Sequence, residues 1–207
     1  MNGFDEERLK ELARAWGHEH VALLKEDGYP VALTSNEKIQ VIARHRQNLH
    51  HGLLHARTHD VDFIVVHFAP MPGVPRKVLE VAAALKCYRL ATSVDHDAIV
   101  LGDFNSLAPH DVDRFSAAAT ERYRKWQYLM HDGKPAEIAM GPLLSAGAID
   151  VVHDQRALPD ELPLPRIDFI LSSPDLAAEC MGARWLADPA MLRLSDHPAV
   201  VADFRRR

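Results

Sequence analysis

Six polar residues of this 207-residue chain stand where apolar runs stop or begin: His67, Asp103, Asn105, Asp168, Asp196 and His197. His67 closes Phe63-Ile64-Val65-Val66, while Asp103 and Asn105 follow Ala98-Ile99-Val100-Leu101-Gly102. Asp168 enters Phe169-Ile170-Leu171, and Asp196-His197-Pro198 opens Ala199-Val200-Val201-Ala202. Carboxylates with an amide are hard oxygen donors suited to Mg2+ or Mn2+, which keep water or substrate phosphate in their shell. Two imidazoles add a proton donor or an electrophilic clamp. The reaction that uses this mixture is phosphate-ester hydrolysis, in which a cation neutralises phosphate charge, a carboxylate orients water and an imidazolium stabilises the developing oxyanion. The simpler reading of Gly102-Asp103-Phe104-Asn105 is a strand followed by a turn.

The elements that must position these groups follow from periodicity. Residues 4–16 carry Leu9, Leu12, Ala13 and Trp16 on one helical face with Asp5, Glu6 and Glu7 in the first turn, an amphipathic helix over a sheet. Residues 21–24 and 31–34 predict a hairpin, and strands follow over 39–43, 52–57 and 61–68. After a proline-rich stretch, residues 76–91 place Val78, Val81, Ala82, Leu85 and Tyr88 at helical spacing. The strand through Ala98–Leu101 ends at Gly102. Alternation along an extended segment puts Asp103 and Asn105 on one side and Phe104 toward the core. Beyond it, Asp111 is a candidate helix N-cap ahead of Phe115, Ala118, Ala119, Arg122 and Trp126. The basic group Arg114, Arg122, Arg124 and Lys125 reads first as a solvated face and second as a phosphate contact. Residues 148–152 read as a short strand or a helix end. Strands through 166–172 and 199–204 finish the chain, and Asp168, a carboxylate within an apolar strand, requires a partner.

Length and composition fit one domain over residues 1–207 with a core large enough to need no staples. A net charge of -5 and a pI near 6.2 disfavour the broad positive field of a non-specific duplex-DNA binder. Cys87 and Cys180 show no CxxC spacing and read as reduced, buried thiols. With no apolar leader and no run long enough for a membrane span, the expected compartment is the cytoplasm.

Val65-Val66-His67-Phe68, Val100-Leu101-Gly102-Asp103-Phe104-Asn105, Arg166-Ile167-Asp168-Phe169-Ile170-Leu171 and Leu194-Ser195-Asp196-His197-Pro198 resemble, in order and spacing, the endonuclease/exonuclease/phosphatase superfamily. The resemblance runs from about Leu9 to the C-terminus. It implies a four-layer αββα sandwich of two mixed β-sheets with the site at one rim. It also implies roles: Asp103 activates the attacking water, Asn105 positions water and phosphate, and His197 contacts the scissile phosphate with Asp168 orienting it. His67 is the second phosphate-contacting histidine. Asp103, Asn105 and Asp196 are the implied ligands of Mg2+ or Mn2+. The implied partner is a phosphate-ester substrate, a small molecule or a short nucleic acid.

The sequence departs from the family in two ways. Val65 stands where the family often has asparagine two residues before the histidine. The opening strands ending in Trp-Asn and Gln-Glu, which help build the metal site, are not found, so the sandwich is expected to be N-terminally incomplete. Three expectations follow: a weak or inactive hydrolase, an exposed sheet edge that promotes self-association, and, as the alternative function, a non-catalytic phosphate-binding or interaction module. A zinc site at His51 and His55 requires a helix there, whereas Gly52-Leu53-Leu54 looks more like a strand. His50-His51-Gly52 is placed instead near the substrate groove.

Overall fold

The computed structural model describes residues 5–24, 29–70, 74–117, 120–121, 130–131, 134–135, 138–164 and 166–205. Helix α1 (Glu6–Ala15) begins at Asp5, whose carboxylate accepts from the Arg8 amide as an N-cap. It buries Leu9 and Ala13, but Trp16 lies beyond the last turn and is 61% exposed, so the predicted apolar face ends one turn early. Strands β1 (His20–Leu24) and β2 (Val31–Ser35) form the expected antiparallel hairpin. Next come β3 (Gln40–His45), β4 (Leu53–Thr58), β5 (Val61–His67), helix α2 (Val74–Thr92) and β6 (Asp97–Asp103).

After β6 the chain forms a 3-10 turn, Pro109–Arg114. Asp111 lies inside it, 1% exposed and paired with Arg166, so it is no N-cap: a buried guanidinium claims the carboxylate that a helix amide would otherwise take. Residues 118–119 and 122–129, which hold most of the helical face predicted there, lie outside the described residues. A short pair, β7 (Met130–His131) and β8 (Lys134–Pro135), and helix α3 (Met140–Ser145) follow. Residues 148–152 contain both readings made of them: β9 (Ile149–Asp150) runs directly into helix α4 (Val151–Asp154), with Asp150 as its N-cap. The chain then makes β10 (Asp168–Ser172), α5 (Pro174–Ala178), β11 (Cys180–Leu186) and β12 (Ala199–Phe204).

The central sheet has the order β3-β4-β5-β6-β10-β9; β5 and β6 are parallel and the other pairs antiparallel. Both faces are covered, which is why β6 reads as an unbroken apolar run. On one face Ile64, Val66, Val100, Phe169 and Leu171 pack against Val81, Ala84 and Tyr88 of α2 and Met140 and Leu143 of α3. On the other, the β1-β2 hairpin covers Leu54, Ala56 and Val65, and the β11-β12 hairpin packs with Ile170 and α4. The layers are therefore helix, sheet, a second β layer made of two antiparallel hairpins, and α1 packed on β1. Cys87 is buried and Cys180 half-buried, and both are free thiols. No helix among the described residues is long and apolar enough to cross a membrane.

The buried face of α2 is rotated from the predicted one. Lys77, Glu80, Val81, Ala84, Cys87, Tyr88 and Ala91 point inward, while Val78 is 49% exposed and Ala82 lies outside. Two charged residues can occupy the inner face because loop backbone satisfies them. Lys77 donates to the Asn105 carbonyl, and the Glu80 carboxylate accepts from the His50 and Ala69 amides at 2.6 Å each.

Gly102 sits in the middle of this packing with φ +129°, and a Cβ there would lie 2.0 Å from the Val66 carbonyl oxygen of the neighbouring strand. Replacing it forces β5 and β6 apart. Gly102→Ala is expected to lower stability by at least ~3 kcal/mol, measured by urea unfolding against wild type.

Candidate active site

The site is assembled by strand register. His67 of β5 pairs with Asp103 of β6, and Asp103 pairs with Asp168 of β10, so the three residues form one row across adjacent strand ends. Directly cross-strand residues share a face, here the one covered by the hairpins. The row continues one residue beyond the strands: the Phe68 amide donates to the Asp103 carbonyl at 2.9 Å, and the Phe104 amide to the Ile167 carbonyl at 2.8 Å. Phe104 turns to the core as expected, fully buried in edge-to-face contact with Phe68 at 5.1 Å and Phe169 at 5.3 Å. These aromatic contacts fix the floor beneath the polar row.

Asn105 reaches the same place by a route different from the predicted alternation. Strand β6 stops at Asp103, and Asn105 takes φ +44°. A side chain that bonds its own backbone favours such a turn: Asp103 Oδ1 accepts from the Asn105 amide at 2.7 Å. The Asn105 side-chain Nδ2 donates to the Phe68 carbonyl at 2.9 Å and to Asp103 Oδ2 at 3.3 Å. Lys77, buried in α2, holds the Asn105 carbonyl from below. Burial lowers the Lys77 ammonium to about 8, with Asp103 and Glu80 opposing that shift.

His197 closes the site from the segment before β12. Its Nδ1 lies 2.9 Å from Asp168 Oδ2 and 3.9 Å from Asp103 Oδ2. Asp168, for which the sequence demanded a partner, thus finds it in a histidine. That hydrogen bond, with the charges of Asp168, Asp103 and Asp196 and against burial, raises His197 to about 9. The imidazolium is the form present at neutral pH. Burial, then the nearby Asp168 charge, pushes Asp103 up to about 7, although the Asn105 amide and His197 favour its ionised form.

His67 Nε2 stands 3.4 Å from Asp103 Oδ2, but its environment is opposite to that of His197. Burial and then the neighbouring His51 lower it to about 3, so it stays neutral. The His51 ring packs on it at 3.9 Å between centroids, and the Tyr29 amide lies 3.3 Å from His51 Nδ1. His51 therefore lies buried against His67. His55 does not join it: it is buried within β4 against Asp62 at 2.6 Å, whereas His51 precedes the strand and packs on His67. Asp196 is exposed beside His197 and acts on it by charge, outside the group formed by Asp103, Asp168 and His197.

Sequence reading missed Lys77 and Glu80, which brace the loops on either side of the site. The signal was present: both are in phase with the buried Val81, Ala84 and Tyr88 stripe of α2. It also missed Arg166, buried two residues before Asp168, which binds Asp111 at 2.9 Å and Asp150 at 2.6 Å and lies 4.4 Å over the Phe169 ring.

Asp103, Asp168 and His197 each offer a ligand atom, all within 4.8 Å of one another. Two carboxylates face one imidazolium here, and their oxygens, rather than the protonated His197 ring, are what the group offers a divalent cation.

A layered α/β sandwich carrying a histidine–carboxylate cluster at the strand ends defines a class, and the chain belongs to the Endonuclease/Exonuclease/phosphatase family, whose model matches residues 5–197. Solved structures agree on the fold. A 3'-5' exonuclease (NExo) from Neisseria meningitidis superposes with a TM-score of 0.73 at 23% identity, over 97% of this chain and 85% of that one. An AP endonuclease from Archaeoglobus fulgidus gives 0.71 at 19% identity, over 98% and 83%. The Neisseria 3' phosphatase NExo bound to product DNA hairpin gives 0.69 at 21% identity, over 98% and 85%. No curated protein matches the chain in sequence.

The Asp168–His197 pair makes a titration prediction. Asp168→Asn removes the main cause of the raised His197 value and one cause of the raised Asp103 value. The His197 imidazole, followed by NMR, is expected to titrate near 9 in wild type and to move toward the ordinary value of about 6.5 in the variant. The Asp103 carboxyl moves in the same acid direction, below about 7.

Proposed function

We propose that this chain is a divalent-metal-dependent hydrolase of phosphate esters, acting on a small phosphoester or a short nucleic acid. The observation that carries the reading is geometric: His67 at 3.4 Å and His197 at 3.9 Å flank the Asp103 carboxylate, and His197 is held by Asp168 at 2.9 Å. Membership of the family supports the reaction class.

In this reading the His197 imidazolium, held by Asp168, donates to a non-bridging phosphate oxygen and stabilises charge that grows in the transition state. Asp103 in its carboxylate form accepts the proton of the attacking water. Asn105, whose carbonyl is held by Lys77 and whose Nδ2 is held by Phe68, fixes the direction of that carboxylate and positions water and phosphate. His67, neutral and backed by His51, offers a second contact to the phosphate. Bound Mg2+ or Mn2+, held by Asp103 with Asn105, would neutralise phosphate charge and acidify water; Asp196, the third ligand the family resemblance implies, lies outside the group of ligand atoms around Asp103. The His197 donor is lost as pH rises above about 9, so the rate is expected to fall there.

One observation supports the rival reading, a phosphate-binding module without turnover. Among the described residues the cation-binding group at this site numbers three, and two of them, Asp168 and His197, are spent on each other. The test is hydrolysis of bis(p-nitrophenyl) phosphate, p-nitrophenyl phosphate and a short 3'-phosphorylated DNA, each with Mg2+, with Mn2+ and with EDTA. The proposal expects metal-dependent release that falls by roughly 10²–10³ in His197→Ala. Phosphate binding by NMR without release of product from any substrate would establish the module instead.

A further inference from the structure

The loop that leaves Asn105 runs into the 3-10 turn Pro109–Arg114, and two of its side chains meet α4 on the far side of β10. His110, Asp111 and His153 each present a ligand atom there, all within 4.8 Å of one another. The His110 and His153 rings lie against each other at 3.9 Å with a 33° tilt.

Asp111 is the informative member. It is 1% exposed, and its two oxygens are treated unequally. Oδ2 takes the Arg166 guanidinium at 2.9 Å, while Oδ1 is buried with no hydrogen-bond partner among the described residues. A buried carboxylate oxygen without a partner is expensive and rare, and a cation beside the two imidazoles supplies what it lacks. His110 is prepared for the same purpose. Its Nε2 lies 2.9 Å from Asp150 Oδ2 and 3.2 Å from the Arg166 guanidinium; in the tautomer that donates from Nε2 to the carboxylate, Nδ1 is the electron-pair donor, the arrangement that steadies metal-bound histidines.

Charge does not oppose a cation here. Arg166 faces two carboxylates, Asp111 and Asp150, which leaves the cluster one negative charge in excess. Access is open as well: His153 is exposed and lines a cleft of about 390 Å3 with Arg114, Asp154, Arg156, Leu158 and Asp160, where the two guanidinium groups are matched by the two carboxylates.

We propose that His110, Asp111 and His153 form a second cation site, structural in role, for a borderline divalent ion of the zinc class. Two nitrogens and one oxygen suit Zn2+, with water in the fourth position, and do not suit Mg2+, which demands six oxygens. Tetrahedral binding draws the three donor atoms to about 3.4 Å from one another. His153, exposed on the single-turn helix α4, supplies the movement. The bound ion joins the 3-10 turn to α4 and thereby fixes Arg166, which leads into Asp168.

Calorimetric titration with ZnCl2 tests this, using a chain carrying Asp103→Asn and His197→Ala so that the strand-end group is disabled. One equivalent is expected to bind, to raise the thermal midpoint and to resist competition by millimolar Mg2+. Adding His153→Ala, an exposed position where the fold is checked by circular dichroism, is expected to weaken binding at least about tenfold and abolish the thermal shift. Asp111→Asn provides the second variant with the same expectation. Absence of binding in the parent chain overturns the proposal, as does zinc affinity unchanged by His153→Ala.

Discussion

Strand β6 is paired with β5 in parallel and with β10 in antiparallel fashion, and the site depends on that double pairing. Each pairing alone aligns two residues. Together they place His67, Asp103 and Asp168 in one row from three strands that are far apart in sequence. The row is unforgiving, because a shift of one residue along any strand turns its polar group to the opposite, helix-covered face. Gly102 helps hold the register, since the Val66 carbonyl approaches where any side chain would stand. The aromatic cluster of Phe68, Phe104 and Phe169 lies beneath the row and resists the same slip.

Once aligned, like residues acquire unlike chemistry. Asp103 and Asp168 are both half-buried carboxylates, yet Asp168 spends its charge on His197 while Asp103 bears the penalty of burial and of its neighbour's charge. The two histidines diverge for a related reason. His197 gains an acceptor and becomes a cation; His67 is enclosed with His51 and remains neutral. Unlike protonation states arise around one carboxylate because environment, rather than residue type, sets each proton affinity.

Buried charge also organises the surroundings. Arg166 draws Asp111 and Asp150 to itself, fastening the 3-10 turn and the start of α4 to the strand that carries Asp168. On the other face, Lys77 and Glu80 of α2 hold the loops after β6 and around β4 and β5 through backbone groups. Removing one partner of such a set strands the others in low dielectric, so these ties stiffen the site more than their number suggests. The backbone carries the rest: the Asn105 turn exists because Asp103 accepts its amide.

The sequence by itself determined most of the architecture. Apolar runs located the hairpin β1-β2 and strands β3 to β6, β10 and β12, and the motifs around Asp103, Asp168 and His197 marked the site, because strand burial and strand-end polarity are local patterns. It determined the partner demand of Asp168, since a carboxylate in an apolar strand has few alternatives. What only the tertiary structure decided was how charge is shared. Nothing local distinguishes His67 from His197, shows that Asp111 serves Arg166 instead of a helix end, or turns α2 so that Lys77 and Glu80 face inward. Those outcomes depend on which groups the fold brings within a few ångströms, and electrostatic and desolvation energies change steeply over that distance.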